Sequence, residues 1–131
     1  MTIIIADDNK TFREALRIFV EKELNLQVIS ECEDGFDLVN NNKLVEADIL
    51  LIDIEMPVYS GIEAVKKIIR KKSWIKAIAI TNYYEKAYLK DLVKTGFKGC
   101  VFKDSIYLNI SKAINKVHNG GLYFPKNIML E

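Results

Sequence analysis

The segment ILLIDIEMP, residues 49–57, decides the fold of this chain. Four consecutive aliphatic residues precede Asp53, and so short an apolar run is typical of a strand buried on both faces of a parallel sheet. The strand must end near Asp53, because Pro57 favours extended geometry in the residue before it and Gly61 lies a few residues beyond. Ligands collect at the carboxyl ends of strands in open α/β sheets. Asp53 is therefore the first candidate for a functional side chain.

Other short apolar segments also have the composition of strands. They are Ile3–Ala6, Gln27–Cys32, Ala77–Ile80 and Gly99–Phe102. Polar residues stand at the outgoing ends of the strands, namely Asp7 and Asp8, Asp53, Thr81 and Lys103. We expect these side chains to meet at one edge of the sheet.

Between the strands, apolar residues recur at helical spacing. The predicted helices are a stripe from an N-cap at Asn9 to about Leu24, a short helix bearing Phe36 and Val39, the stripe Ile62 to Ile69, residues 85–95 with Gly96 as C-cap, and the stripe Ile110 to Val117. Strands that alternate with helices predict an α/β fold, a doubly wound parallel sheet of five strands with helices on both faces.

Length and composition limit the kinds of protein this chain can be. Its 131 residues fit one compact domain, and a formal net charge of +1 gives no case for nucleic-acid binding by this chain itself. No apolar run approaches a membrane span and the start lacks a secretion signal, so we expect a cytoplasmic protein without membrane contact. Cys32 and Cys100 fall in apolar strand-like segments, so we expect both to be buried.

The whole pattern resembles the receiver domain of two-component response regulators, the CheY-like family. The resemblance is carried by the acid pair Asp7 and Asp8, by Asp53 with Pro57 and Gly61 after it, by Thr81 and by Lys103. It makes residues 1–124 the expected receiver domain and residues 125–131 the start of a linker or tail. It also implies the strand order 2-1-3-4-5. That order places Cys32 and Cys100 on opposite sheet edges, too far apart for a disulfide.

The charges at this edge of the sheet call for a cation. Two carboxylates about 4 Å apart repel by roughly 4 kcal/mol at an effective dielectric of about 20. Asp7, Asp8 and Asp53 together outweigh the single charge of Lys103. Carboxylate oxygens suit Mg²⁺, which keeps several waters for an incoming phosphate. We therefore predict a Mg²⁺ site at the three aspartates, and the resemblance adds the main-chain carbonyl of Glu55 as a further ligand.

The resemblance also implies a reaction at Asp53. A phosphohistidine on a sensor histidine kinase would donate its phosphoryl group to Asp53, forming an acyl phosphate. Lys103 would stabilise the phosphoryl oxygens, and Thr81 would hydrogen-bond one of them. The movement of the Thr81 hydroxyl would then switch the output of the domain.

A finer resemblance concerns that output. Lys103-Asp104 and the segment 119–124 resemble the receivers of NarL/LuxR-type transcriptional regulators, which precede a helix-turn-helix domain. We expect contact with DNA only through such a domain, which this chain lacks. A stand-alone receiver that acts through protein contacts is the alternative, and a phosphorylation-dependent homodimer is left open.

The sequence departs from the family pattern at a few positions. Relatives commonly place an aromatic residue where this chain has Cys100, and Phe102 and Tyr84 are candidates to replace it. Glu55 and Tyr83 occupy variable positions that tune the lifetime of the phosphoryl group in the family. We therefore predict slowed or altered dephosphorylation.

Other functions fit the sequence less well. A metal-dependent phosphohydrolase of the haloacid-dehalogenase class would want a second aspartate two residues after the nucleophile, where this chain has the longer Glu55. We accordingly do not expect an enzyme. A flavodoxin-like flavin binder shares the architecture, but Asp7 and Asp8 would repel the flavin phosphate.

Overall fold

The computed structural model of the protein describes residues 1–129 and contains one parallel sheet. The strands are β1 (Thr2–Ala6), β2 (Gln27–Cys32), β3 (Ile49–Asp53), β4 (Ala77–Thr81) and β5 (Gly99–Phe102). Their order is β2-β1-β3-β4-β5, and every neighbouring pair is parallel. The predicted sheet and strand order are confirmed. All residues of β3 are buried, as its uninterrupted apolar composition requires.

Helices connect the strands. They are α1 (Lys10–Lys22), α2 (Gly35–Val39), α3 (Gly61–Lys71), α4 (Lys86–Thr95), α5 (Ile106–His118) and a short α6 (Lys126–Met129). The predicted caps are confirmed: the Asn9 side chain accepts the Phe12 N–H, and Gly96 ends α4 with φ 115°. Two 3₁₀ turns, Leu44–Glu46 and Lys103–Ser105, and helix α6 were not predicted, because elements this short carry no periodicity.

Helix α1 ends slightly earlier than its apolar stripe. The stripe reaches about Leu24, but the helix ends at Lys22. The amides of Glu23 and Leu24 both donate to the carbonyl of Phe19, and Asn25 then turns the chain with φ 55°. Leu24 still packs against the core, so its place in the apolar stripe reflects burial beyond the helix end.

The sheet separates two layers of core. Helices α1 and α5 cover one face, where Ile3, Ile5 and Leu51 pack against residues such as Leu16 and Ile110. Helices α2, α3 and α4 cover the other face, on which Ile4, Leu50, Ile52 and Ala79 point the opposite way. This alternation is the period-two geometry of a strand buried on both sides. It leaves the strand ends as the open edge of the molecule.

After α5, the chain runs beside the start of β5. Tyr123 forms a parallel bridge to Gly99, its N–H donates to the Lys98 carbonyl at 2.9 Å, and its carbonyl accepts the Cys100 N–H at 2.8 Å. Helix α6 packs against α4, and Ile128 is only 4% exposed. The boundary after residue 124 stays a prediction, and residues 130–131 of the predicted tail lie outside the described residues.

The two cysteines are buried and free, as predicted. Cys32 lies in β2 and Cys100 in β5, at opposite edges of the sheet. Burial raises the pKa of Cys32 to about 11 and that of Cys100 to about 12, so both remain thiols at neutral pH. Within residues 1–129, none of the helices has the length and hydropathy that crossing a membrane would require.

Gly61 allows the loop after β3 to lie against the strand end. Its N–H donates to the Ile54 carbonyl at 2.8 Å, and a Cβ at this position would lie 2.7 Å from the Asp53 carbonyl oxygen and 2.9 Å from the Ile54 Cα. We expect Gly61→Ala to lower the free energy of unfolding by about 1–3 kcal/mol, because backbone atoms cannot yield as a side chain can. Urea unfolding would measure the loss. A change below about 0.5 kcal/mol, the scatter of neutral surface substitutions, would contradict this packing.

Candidate functional site

A cleft of about 970 Å³ opens at the carboxyl ends of the strands. Most of the residues that the sequence places at strand ends line it, including Asp8, Asp53, Thr81 and Lys103. Asp7 lies beneath this surface with no exposed area. The predicted convergence of these side chains is therefore confirmed as geometry.

Three carboxylates form a compact cluster in the cleft. Asp7, Asp8 and Asp53 each offer an oxygen within 4.8 Å of the other two. Asp7 Oδ1 accepts the Asn9 N–H at 2.8 Å, whereas Asp7 Oδ2 is buried without a hydrogen-bond partner. Burial is the main cause that raises the pKa of Asp7. A buried carboxylate oxygen that makes no hydrogen bond, with an ion pair to Lys103 at 3.5 Å and two further carboxylates beside it, fits a hard divalent cation such as Mg²⁺.

Asp53 is the carboxylate of the cluster that lies at the end of β3. It is 3% exposed, and its Oδ1 accepts the Glu55 N–H at 3.4 Å. Burial, aided by the neighbouring Asp7 and opposed by Lys103, raises the pKa of Asp53 to about 7. Half of the Asp53 side chains would thus be protonated near neutral pH without a cation. A bound cation or an additional donor would favour the nucleophilic carboxylate form.

Lys103 reaches the cluster from the turn after β5. Its Nζ lies 3.4 Å from Asp53 Oδ2 and 3.5 Å from Asp7 Oδ2, with 21% of the side chain exposed. The same Nζ lies over the ring of Phe12, 4.7 Å from its centroid. This cation–π contact holds the ammonium at the cleft. Phe12 was not predicted as a site residue, because the sequence shows it only as part of the apolar stripe of α1.

Arg13 is a second residue that sequence reasoning missed. Its Nη1 donates to the carbonyl oxygen of Asp7 at 2.7 Å, and its Nε donates to Glu31 at 2.9 Å. The two bonds tie the end of β1 to β2 and so fix the backbone that carries the acid pair. Charged residues on helices are common, and nothing in the sequence indicates that this arginine faces a strand end.

Thr81 lies at the end of β4 and is 2% exposed. Its Oγ1 accepts the N–H of Tyr83 at 3.0 Å, which leaves the hydroxyl hydrogen and one lone pair available. The hydroxyl belongs to the lining of the same cleft as Asp53. It is therefore placed to donate to an oxygen of a group bound at Asp53.

The rim of the cleft carries Glu55 and Tyr83. The Tyr83 hydroxyl faces the Glu55 carboxylate, and this interaction raises the pKa of Tyr83. Both residues line the cleft beside Asp53, and Asn82 lies between Thr81 and Tyr83. These are the positions for which the sequence predicted an influence on the phosphoryl group at Asp53.

The aromatic residues considered as replacements at Cys100, Tyr84 and Phe102, are not among the residues that line the cleft. Tyr84 stacks on Phe102 with ring centroids 4.3 Å apart, and its hydroxyl donates to Asp104. Tyr84 is 53% exposed. Tyr88, by contrast, lines the cleft with Thr81. Nothing in the sequence indicates that Tyr88 reaches the cleft, so its place there was missed.

The strand order and the helices around the sheet give the chain the CheY-like α/β fold. Residues 3–115 match the response regulator receiver domain, and the chain belongs to that family. Such receiver domains belong to the response regulators of two-component signal transduction. The fold and family implied by the sequence are therefore confirmed.

The relatives of the chain are named as transcriptional regulators. It is 32% identical over 126 residues to the transcriptional regulatory protein LnrK of Bacillus subtilis, covering 96% of this chain and 57% of LnrK. It is 30% identical over 129 residues to the transcriptional regulatory protein DesR of the same organism, covering 98% of this chain and 64% of DesR. The chain thus spans between half and two thirds of the length of these curated relatives.

Solved structures of response regulators have the same fold as this chain. The isolated REC domain of RcsB from Salmonella enterica serovar Typhimurium, in the apo form, superposes with a TM-score of 0.87 at 27% identity. That match covers 99% of this chain and 96% of the RcsB domain. A LuxR-family response regulator from Aurantimonas superposes with a TM-score of 0.89 at 24% identity over 99% of this chain and 93% of that one, which supports the fold alone.

Proposed function

We propose that Asp53 is the phosphoryl acceptor of this receiver and that a sensor histidine kinase is its donor. The observation that carries the proposal is the contact of a buried carboxylate with Lys103 Nζ at 3.4 Å inside a cluster of three aspartates. Asp7, Asp8 and Asp53 would hold Mg²⁺, together with the main-chain carbonyl of Glu55. When bound, the ion would neutralise these carboxylates and the oxygens of the incoming phosphoryl group.

The chain supplies the remaining chemistry. A carboxylate oxygen of Asp53 attacks phosphorus, the bond to the histidine nitrogen breaks, and the phosphoryl group remains on Asp53 as an acyl phosphate. Lys103, already beside Asp53, stabilises the charge on the transferring oxygens. Thr81 donates its free hydroxyl hydrogen to one of those oxygens, and this new bond biases β4 and the chain after it.

The output is proposed to be transcription. The relatives LnrK and DesR are named transcriptional regulatory proteins, and the matches cover 57% of LnrK and 64% of DesR. A structure of RcsB is described as two dimers bound to two parallel DNAs. By analogy, a longer form of this protein would carry a DNA-binding domain. That protein would act in the cytoplasm, and its active state would be a homodimer that forms on phosphorylation. The length of the natural open reading frame distinguishes this from a stand-alone receiver.

The proposal is tested by incubating the chain with acetyl phosphate and Mg²⁺ and measuring its intact mass. We expect one phosphoryl group per chain, with none on Asp53→Ala. Asp91→Ala, which removes an exposed carboxylate on α4, is the matched control and should be phosphorylated like the wild type. Phosphorylation of Asp53→Ala at the wild-type level would refute Asp53 as acceptor, and continuous turnover of a phosphate ester would indicate an enzyme instead.

Glu55 and Tyr83 are expected to prolong the life of the phosphoryl group. Their facing side chains stand at the rim of the cleft, where they restrict the approach of water to Asp53. Replacing both by alanine should shorten the half-life of the phosphorylated protein about threefold, equivalent to roughly 0.7 kcal/mol of barrier. Loss of the mass increment with time measures it. Tyr84→Ala is the control, and an unchanged half-life in the double variant would remove this role.

A further inference from the structure

Two buried side-chain atoms among residues 1–129 lack a hydrogen-bond partner, and both lie at the acidic cleft. They are Asp7 Oδ2 and the Tyr88 hydroxyl. Buried polar groups without partners are rare, and each calls for a physical explanation. The ion pair with Lys103 and the cation proposed above account for the aspartate oxygen. They do not account for the tyrosine, whose hydroxyl needs an acceptor.

The Tyr88 hydroxyl lies in the cleft beside the side chain of Thr81. Tyr88 lies in the first turn of α4 and lines the cleft. Its ring packs edge to face against the ring of Tyr83, with 5.2 Å between the ring centroids. The side chain of Thr81 lies near enough to this hydroxyl to lower its pKa, although the two groups form no hydrogen bond in this structure. Burial raises the pKa of Tyr88 above its ordinary value near 10, so the hydroxyl keeps its proton at neutral pH.

Thr81 has the capacity to accept this proton. A threonine hydroxyl offers one hydrogen and two lone pairs. The Tyr83 N–H occupies one lone pair at 3.0 Å, and the hydrogen is reserved for a phosphoryl oxygen in the proposed reaction. The second lone pair is left for Tyr88. With both lone pairs occupied, the Thr81 hydroxyl has a single direction left for its hydrogen.

We infer that Tyr88 is a positioning residue that donates its hydroxyl to Thr81 and thereby fixes Thr81 as a donor to the phosphoryl group on Asp53. The inference rests on the proposed function of Asp53. A hydroxyl that donates to an anion becomes a better acceptor, so the Tyr88–Thr81 bond, which is absent without the phosphoryl group, forms when that group is bound. Because Tyr88 belongs to α4, the same bond carries the change at β4 into that helix.

The inference is tested with beryllium fluoride as a phosphoryl mimic. The receiver domain of RcsB has been solved in the presence of this phosphomimetic. We would measure the BeF₃⁻ dissociation constant in Mg²⁺ for the wild type, Tyr88→Phe, Thr81→Val and the double variant. Tyr88→Phe should weaken binding about threefold to tenfold, the range of one neutral hydrogen bond. In the Thr81→Val background the same change should alter binding less than about twofold, because the acceptor is already gone.

Two controls distinguish a positioning role of the Tyr88 hydroxyl from a contribution of the Tyr88 side chain to packing. Tyr84→Phe removes the hydroxyl of an exposed neighbour that bonds Asp104, and BeF₃⁻ affinity should not change. Without BeF₃⁻, Tyr88→Phe should be as stable to urea as the wild type or more so, since it removes a buried hydroxyl that has no partner. If Tyr88→Phe weakens binding equally in the wild-type and Thr81→Val backgrounds, or in neither, the inference is overturned.

The outcome also separates this inference from the proposed function. If Asp53→Asn binds BeF₃⁻ as tightly as the wild type, the proposed function fails and the role of Tyr88 fails with it. If binding depends on Asp53 while Tyr88→Phe matches the wild type, the role of Tyr88 alone is refuted.

Discussion

Replacing Lys103 by methionine is expected to slow phosphorylation by acetyl phosphate about 100-fold, the usual effect of removing one preorganised charge stabiliser. Lys103 Nζ lies 3.4 Å from Asp53 Oδ2, where negative charge accumulates during transfer. The loss of Lys103 also lowers the reactivity of the nucleophile, Asp53. Lys103 opposes the rise in the pKa of Asp53, so without it a smaller fraction of Asp53 is ionised at neutral pH.

The rate would be followed by intact mass at a fixed concentration of acetyl phosphate and saturating Mg²⁺. Lys98→Met is the matched control, because Lys98 is exposed at the opposite end of β5 and the change in side-chain chemistry is the same. It should react at the wild-type rate. A Lys103→Met variant within about twofold of the wild type would show that the ammonium has no part in the transfer, since one lost charge stabiliser costs far more.

The second large effect concerns stability and pH. In the metal-free protein, we expect the free energy of unfolding to fall as pH rises from about 4 to about 7. The pKa of Asp53 is raised from 3.8 to about 7 in the folded chain, mainly by burial, so over this range the folded state binds the proton that the unfolded state has released. Stability from this group is complete below about pH 4 and lost above about pH 7.

The size of the loss follows from the shift. A change from 3.8 to about 7 corresponds to roughly 4 kcal/mol at most, and coupling to Asp7 spreads part of it between the two carboxylates. Asp53→Asn cannot ionise, so its stability should depend less on pH and should exceed that of the wild type at about pH 8. Asp91→Asn is the exposed control. Urea unfolding at several pH values in EDTA measures both.

The same urea unfolding experiment is repeated with Mg²⁺ in place of EDTA. Mg²⁺ should restore stability to the wild type at about pH 8, because a ligand that binds only the folded state stabilises it by mass action. Asp53→Asn should gain less. A wild-type stability that is independent of pH between about 4 and 8 in EDTA would contradict the burial cost assigned to Asp53.

The sheet and most of the helices could be predicted because local pattern and tertiary burial agree. Residues 49–53 are apolar up to Asp53 since both faces of β3 are covered, and the helical stripes match the faces that pack. Helix α6 and the two 3₁₀ turns were missed for the opposite reason. They span three or four residues each, and their conformation depends on contacts with distant parts of the chain.

The acidic cluster could also be predicted, since polar residues at strand ends must meet once the strands are parallel. The supporting residues could not. Phe12 and Tyr88 lie on helices whose apolar side faces the core, and the sequence does not show which aromatic ring reaches the strand ends. Arg13 is likewise one charged residue among many. Their partners come from elements far away in sequence, which local periodicity does not record.

One chemical measurement tests the central claim most directly. After reaction with acetyl phosphate and Mg²⁺, borohydride reduces an acyl phosphate on aspartate to homoserine, which peptide mass mapping can locate. We predict homoserine at residue 53 alone, and none when EDTA replaces Mg²⁺. Homoserine at Asp7 or Asp8, or a phosphoryl group that survives borohydride on a hydroxyl side chain, would contradict Asp53 as the phosphoryl acceptor of this receiver.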